Sequence, residues 1–365
     1  MSDSIRVVLV DDEKNAGDRY GGLLGKCGLE VEHRFPPQEF DVKSLVDPAP
    51  DLFLVDYELT SKRGDGQAAS YRGWSLATAL REELGDRPIV LLTRTGLATW
   101  RAARRSLEAS RIVDAVEYKT DIERDSESAA KRLVSLACGY AIIRNQEPTY
   151  QGLCEALRAR SSEETAALSE ATPPRSGWQP FEAAAWIRNV VLAFPGILYD
   201  ALHAATTLGL SRESFDNPKV RAEFNEAHYE GVFSDVEHRW WRSRLFEVAE
   251  RLRQNARIPG PLNVAVPQAL GNLLHVGLQS PPCTYSGQVP ADWVCCLLKV
   301  PVKYDFTLAY GMDDRPKVMD EARISFKAIA ESQDVRLELF DKYSAELAED
   351  MQKSPGKYRR TIQVD

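Results

Sequence analysis

Five polar residues stand at the ends of four short apolar runs, and this arrangement constrains the chain more than any other feature. Asp11 and Asp12 close Val7-Val8-Leu9-Val10, Asp56 closes Leu52-Phe53-Leu54-Val55, and Thr93 closes Ile89-Val90-Leu91-Leu92. Lys119 follows Ala115-Val116-Glu117-Tyr118. Each run is aliphatic or β-branched and is separated from the next by amphipathic stretches of helical length. That pattern predicts an α/β unit with a five-stranded, doubly wound parallel sheet, covered by helices on both faces. The carboxyl ends of such strands line one crevice, where ligands collect. Three carboxylates, a hydroxyl and a lysine in one crevice suit a divalent metal together with a phosphoryl group.

The segment from about Arg6 to about Arg144 resembles the receiver domain of two-component response regulators, a flavodoxin-like (CheY-like) fold. The resemblance rests on all five residues, in order, each at a strand end. It implies that Asp56 is the phospho-acceptor, a carboxylate nucleophile attacking a phosphohistidine on a partner histidine kinase. It implies Mg²⁺ as cofactor, held by Asp11, Asp12 and Asp56 with the backbone carbonyl of Glu58; Mg²⁺ suits a few carboxylates, retained waters and a phosphate oxygen. Thr93 and Lys119 would then bind the phosphoryl oxygens and stabilise the transferring group.

The chain also departs from the receiver pattern. Asp56 and Thr93 are 37 positions apart, a few more than receivers use, and the surplus is assigned to an enlarged polar loop over Thr60–Gln67. Gly73 takes the place of the glycine before the third helix. Arg94 follows Thr93, where receivers mostly carry a small residue, and would shield the phosphoryl group or restrict access to it. Val116 occupies the position of the aromatic switch residue, and Thr120 replaces the proline that commonly follows the lysine. These departures put the usual threonine–aromatic switching in doubt.

A chain of 365 residues exceeds one typical domain. The expected organisation is a receiver over residues 1–145, a helix and linker over 146–177, and a mainly α (α+β) output or interaction domain over 178–365. The linker assignment rests on the Ser, Thr, Glu, Ala and Pro content of 161–177. No apolar run reaches membrane-spanning length, and Met1–Ser4 has no signal-peptide character, so a cytoplasmic location is expected. Six unevenly spaced cysteines suggest reduced thiols. Residues 1–145 carry 21 Lys+Arg against 24 Asp+Glu, and the remainder carries 25 against 30. Both parts are acidic, which argues against a DNA-binding output domain. Arg239, Arg242, Arg244, Arg251 and Arg253 read as the solvated side of a helix rather than a nucleic-acid patch.

In the second part the sequence predicts helical character over 181–210, a helix over about 235–255, strands at 262–266 and 294–302, a polar turn at Asp313–Pro316, a long amphipathic helix over 318–353 and a mobile tail over 357–365. Trp240 and Trp241 read as core anchors, with nucleobase stacking as the competing reading. Cys283, Cys295, Cys296 and His275 include zinc-ligand types but form no C-x-x-C pair, so buried thiols and a surface histidine are preferred. Asp200 with His203, and Asp235 with His238, are spaced to share helix faces. No nucleophile triad, P-loop or dinucleotide fingerprint is present. The functional expectation is therefore a Mg²⁺-dependent response regulator controlling an interaction domain with a downstream protein partner, with homodimerisation through the receiver. The alternatives are a receiver-gated enzyme, or a phosphate sink such as those of antiphage two-component-like systems.

Overall fold

The computed structural model describes residues 4–37, 41–59, 69–94, 111–194, 196–235, 238–311, 320–332 and 334–354. The expected loop over 60–67, the turn at 313–316 and the tail over 357–365 lie outside the described residues. The chain divides into two compact units: Met1–Arg158 with Pro174–Ile187 and Gly231–Val236, and Ala159–Pro173 with Arg188–Glu230 and Glu237–Asp365.

In the first unit, β1 (Ile5–Val10), β2 (Leu29–Arg34), β3 (Leu52–Asp56), β4 (Ile89–Thr93) and β5 (Ala115–Tyr118) form one sheet in the order β2-β1-β3-β4-β5. All neighbours are parallel. Every residue of β3 and β4 is buried, which is why these runs are continuously apolar rather than alternating. Among the described residues up to 145, the helices are α1 (Lys14–Gly25), the single turn α2 (Lys43–Val46), α3 (Gly73–Glu83), α4 (Lys119–Arg124) and α5 (Ser126–Arg144). Asp125 starts α5 by accepting the Ser128 amide. The chain reverses its winding between β1 and β3, and this topological switch point opens at the carboxyl ends of those strands.

The other end of the sheet is fixed by a buried ion pair. The Arg81 guanidinium on α3 meets Asp114 at 2.5 Å, and both side chains are at least nine-tenths buried. Asp114 also accepts the Ile89 amide at 2.8 Å and the Tyr140 hydroxyl from α5. Arg81 donates further to the carbonyls of Arg87 and Ile112. One charge pair thus joins α3, the starts of β4 and β5, and α5.

The second unit is mainly helical, with three two-stranded antiparallel ribbons. Residues 161–177, expected to be linker, contain α7 (Ser162–Glu170) after α6 (Tyr150–Ala156). Its start is a reciprocal capping box between Ser161 and Glu164. Glu164 is then buried and accepts both arms of the Arg244 guanidinium at 2.5 and 2.7 Å. The helical region after 180 begins with α8 (Pro180–Trp186), which belongs to the first unit, and continues through a π turn to a short strand β6 (Leu198–Asp200) and α9 (Ala201–Thr207) in the second. Residues 212–215 and 218–223 form α10 and α11. Strand β7 (Arg239–Trp241) pairs with β6 and precedes α12 (Arg242–Ala256).

Three expectations are corrected here. Residues 262–266 belong to a helix, α13 (Leu262–Leu274), because Ala265, Val266, Ala269 and Leu270 form one buried helical stripe. Residues 294–302 form a minimal ribbon of β8 (Trp293–Val294) and β9 (Pro301–Val302) rather than one strand. The long helix over 318–353 is replaced by several elements. Strand β11 (Arg323–Ser325) pairs with β10 (Thr307–Ala309), α14 (Phe326–Glu331) is capped by Ser325, and α15 (Lys342–Lys353) is capped by Asp341. The two caps compete locally with helix continuation and divide the segment.

Removing one partner of the Arg81–Asp114 pair leaves the other charge buried and uncompensated. Asp114→Ala is expected to destabilise the protein by about 3–5 kcal/mol in denaturant unfolding, and Asp114→Ala with Arg81→Met by clearly less. Equal losses in the two variants would contradict this role.

Candidate functional site

The sheet order brings the predicted polar residues together. Asp11 and Asp12 leave β1, Asp56 ends β3, Thr93 ends β4, and Lys119 opens α4 directly after β5. All five are buried. Carboxylate oxygens of Asp11, Asp12 and Asp56 lie within 4.8 Å of one another. The Lys119 ammonium contacts Asp11 at 2.8 Å and Asp56 at 3.0 Å. Glu58 lies two residues beyond Asp56 in the loop leaving β3, with its side chain exposed.

Local backbone geometry holds this arrangement. The Asp11 carboxylate accepts the Glu13 amide at 2.8 Å, and the His33 ring bonds the Asp11 carbonyl at 3.0 Å. Tyr57 donates its amide to the Leu92 carbonyl at 2.8 Å and accepts that of Gly73 at 3.0 Å. A Cβ at position 73 would sit 1.8 Å from the Asp56 carbonyl oxygen, so only glycine allows α3 to approach the end of β3 so closely. Beneath Lys119 lies the buried Tyr20 ring, 5.6 Å from the ammonium; its hydroxyl donates to Glu123 at 2.8 Å.

The electrostatics follow from burying three carboxylates beside one ammonium. Burial pushes the Asp56 carboxyl up, Lys119 opposes this, and Asp11 and Asp12 add to it, leaving it at about 7. Burial acts to lower Lys119, but the charges of Asp56 and Asp11 outweigh it and hold the ammonium above its usual range. The three donors are hard carboxylate oxygens, so the set fits Mg²⁺ by ligand type. Among the described residues, these three carboxylates are the only group of three or more side chains gathered closely enough to hold a metal.

At the rim, Arg94 pairs with Glu13 at 3.0 Å. The pairing joins residues 81 positions apart; the sequence marks Arg94 as unusual but gives no sign of its partner. Val116 is a buried core residue of β5.

The second unit does not assemble its suspected polar residues as their spacing suggests. Asp200 accepts the His203 amide as an N-cap, so its carboxylate is used by the backbone rather than the ring. The His203 ring instead stacks on Tyr199 at 3.9 Å and meets Asp320 at 3.4 Å. Tyr199 also donates to Asp320 and accepts from Arg242 at 3.0 Å. Asp235 belongs to the first unit, where it accepts the Ser135 hydroxyl, while His238 pairs with His228 at 3.0 Å in the second. Trp240 and Trp241 are buried against Phe215 and Tyr229, so nucleobase stacking is excluded at these rings. Arg242, Arg244, Arg251 and Arg253 are each ion-paired with an acid. Cys283 and Cys295 are buried in an apolar cluster with Ile324, Phe340 and Met351. Their sulfurs accept backbone amides, from Ser286 and Lys303 and from Leu298 and Ser325 respectively. They do not form a zinc-binding group with Cys296 and exposed His275.

No family model matches the chain, and no curated protein matches it. Solved structures similar to it over about a third of its length include receiver domains. That of Klebsiella pneumoniae RstA is 23% identical, covering 32% of this chain and 86% of its own, with a TM-score of 0.25. The signal receiver domain of a Syntrophus aciditrophicus histidine kinase is 24% identical, covering 36% and 91%, with a TM-score of 0.28. The chemotaxis protein CheY4 of Vibrio cholerae is 16% identical, covering 36% and 98%, also with a TM-score of 0.28. The strand order of this chain itself, with all neighbouring strands parallel, defines the sheet of the first unit as a flavodoxin-like fold. No helix among the described residues is long and apolar enough to cross a membrane.

The fold holds the Asp56 proton more tightly than an unfolded chain, where the group titrates near 3.8. The resulting stabilisation is complete below that value and is lost as pH rises through about 7. In metal-free protein, Asp56→Asn should therefore gain stability relative to wild type between about pH 5 and about pH 8. Saturating Mg²⁺ should narrow the difference at the upper end. Thermal melts in chelator and in Mg²⁺ read both effects, and a difference independent of pH would contradict the assignment.

Proposed function

We propose that this protein is a response regulator whose receiver, residues 1–145, accepts a phosphoryl group on Asp56 from a histidine kinase. The observation that carries the reading is the buried Asp11–Asp12–Asp56 cluster bridged by Lys119, with Thr93 at the neighbouring strand end. The Asp56 oxygen attacks phosphorus, the phosphorus–nitrogen bond of the phosphohistidine breaks, and its electron pair leaves on the imidazole. Asp11, Asp12 and Asp56, with the Glu58 carbonyl, would hold Mg²⁺. Bound there, the ion supplies positive charge to the transferring phosphoryl oxygens. Lys119 pairs with Asp11 and Asp56 in the resting protein and receives a phosphoryl oxygen after transfer. The Thr93 hydroxyl supplies a second donor.

The negative charge that phosphorylation adds at the switch-point crevice is then the signal. It shifts the receiver between two populated surfaces, and residues 178–365 bind or release a downstream protein partner accordingly. A homodimer through the last strand and last two helices of the receiver, and a cytoplasmic location beside the kinase, belong to the same proposal. Val116, in place of an aromatic switch residue, favours a second reading in which the receiver drains phosphoryl groups from its kinase without a committed output.

Beryllofluoride with Mg²⁺ mimics the modified carboxylate. It is expected to protect the strand ends around Asp56 and Thr93 from hydrogen exchange in wild type and not in Asp56→Asn. Protection that extends into residues 178–350 supports output control, whereas a response confined to the receiver supports the sink. No response in wild type would contradict both readings.

A further inference from the structure

We propose that Arg94 is a charge-exchange residue. Held on Glu13 in the unmodified protein, it passes to the phosphoryl oxygens of modified Asp56 and sets how long that group survives. The inference rests on the reading of Asp56 as the acceptor and adds the regulation of the same site.

Both halves of the Arg94–Glu13 pair are tied to site residues through the backbone. Arg94 directly follows buried Thr93, so their Cα atoms are about 3.8 Å apart. Glu13 follows Asp12, and its amide donates to the Asp11 carboxylate at 2.8 Å. The pair therefore spans the mouth of the crevice, from the end of β1 to the end of β4. It is also weakly held. The Arg94 side chain is 60% exposed and that of Glu13 is 44% exposed, so water screens their attraction.

Phosphorylation changes the competition for this guanidinium. It replaces one carboxylate charge with nearly two negative charges and three strong acceptor oxygens. A guanidinium forks onto two phosphate oxygens at once, with a geometry that a lysine cannot reproduce. The modified site lies within a mostly buried crevice, where such a contact is screened less than the Glu13 pair at the rim. The exchange moves a bulky cation over the acyl phosphate and limits the approach of water. It also gives the modification a route to the surface that needs no aromatic ring at Val116: the pair that breaks is exposed, and its loss uncovers the Glu13 carboxylate.

The test uses the full chain, loaded on Asp56 with phosphoramidate and Mg²⁺, with the phosphoryl lifetime followed by intact mass. Arg94→Ala is expected to shorten the half-life at least about fivefold. Arg94→Lys should fall between Arg94→Ala and wild type. Glu13→Gln, which frees Arg94, should prolong the half-life. A second readout is the ¹⁵N resonance of the Arg94 guanidinium. It should move on addition of beryllofluoride and Mg²⁺ to wild type, and stay in place in Asp56→Asn. An unchanged half-life in Arg94→Ala that still carries the phosphoryl group would overturn the exchange while leaving Asp56 as acceptor. Failure of wild type to take up the group would overturn the parent reading and this one with it.

Discussion

The arrangement at the crevice depends on one ammonium group. Lys119, at the end of β5, reaches across the end of β4 to contact Asp56 on β3 and Asp11 beside β1. Without it, three buried carboxylates would face one another at short range, where low dielectric makes like charges costly. With it, burial still holds Asp56 at about 7, and the three hard carboxylates suit a divalent ion. The lysine is thus a structural tie across the sheet and, in the proposed function, the group that stabilises added phosphoryl charge.

This part of the molecule was readable from sequence because a parallel sheet leaves little freedom. An apolar run buried on both faces must end where the strand leaves the sheet, and a polar residue at that point faces the crevice. Asp11, Asp12, Asp56, Thr93 and Lys119 were located in that way. Gly73 was readable as well, and its clash distance to the Asp56 carbonyl supplies the physical reason. The Arg94–Glu13 pair was not, because a contact between flexible surface side chains from different strand ends leaves no periodic trace.

The second unit was harder to read for reasons that its residues make plain. Leu262–Val266 is a short apolar run, and such runs suit a strand or a buried helix equally until the following turns show the spacing of Ala269 and Leu270. Ser161 and Glu164 spell a capping box inside a segment whose composition otherwise resembles a linker. Asp200 and His203 are spaced to share a helix face, yet the backbone captures the carboxylate as a helix cap. The ring's actual partner, Asp320, is more than a hundred positions away. Buried side chains in this unit, including Trp240, Trp241 and the Tyr199–Asp320–Arg242 group, are spent on packing and on pairing distant segments.

The most direct test of the central claim is to locate the phosphoryl group chemically. The protein would be incubated with phosphoramidate and Mg²⁺, reduced with borohydride, which converts an aspartyl phosphate to homoserine, and mapped by peptide mass spectrometry. The account predicts homoserine at position 56, dependent on Mg²⁺ and absent from Asp56→Asn. Conversion at another aspartate, or none at all in wild type with Mg²⁺ present, would contradict it.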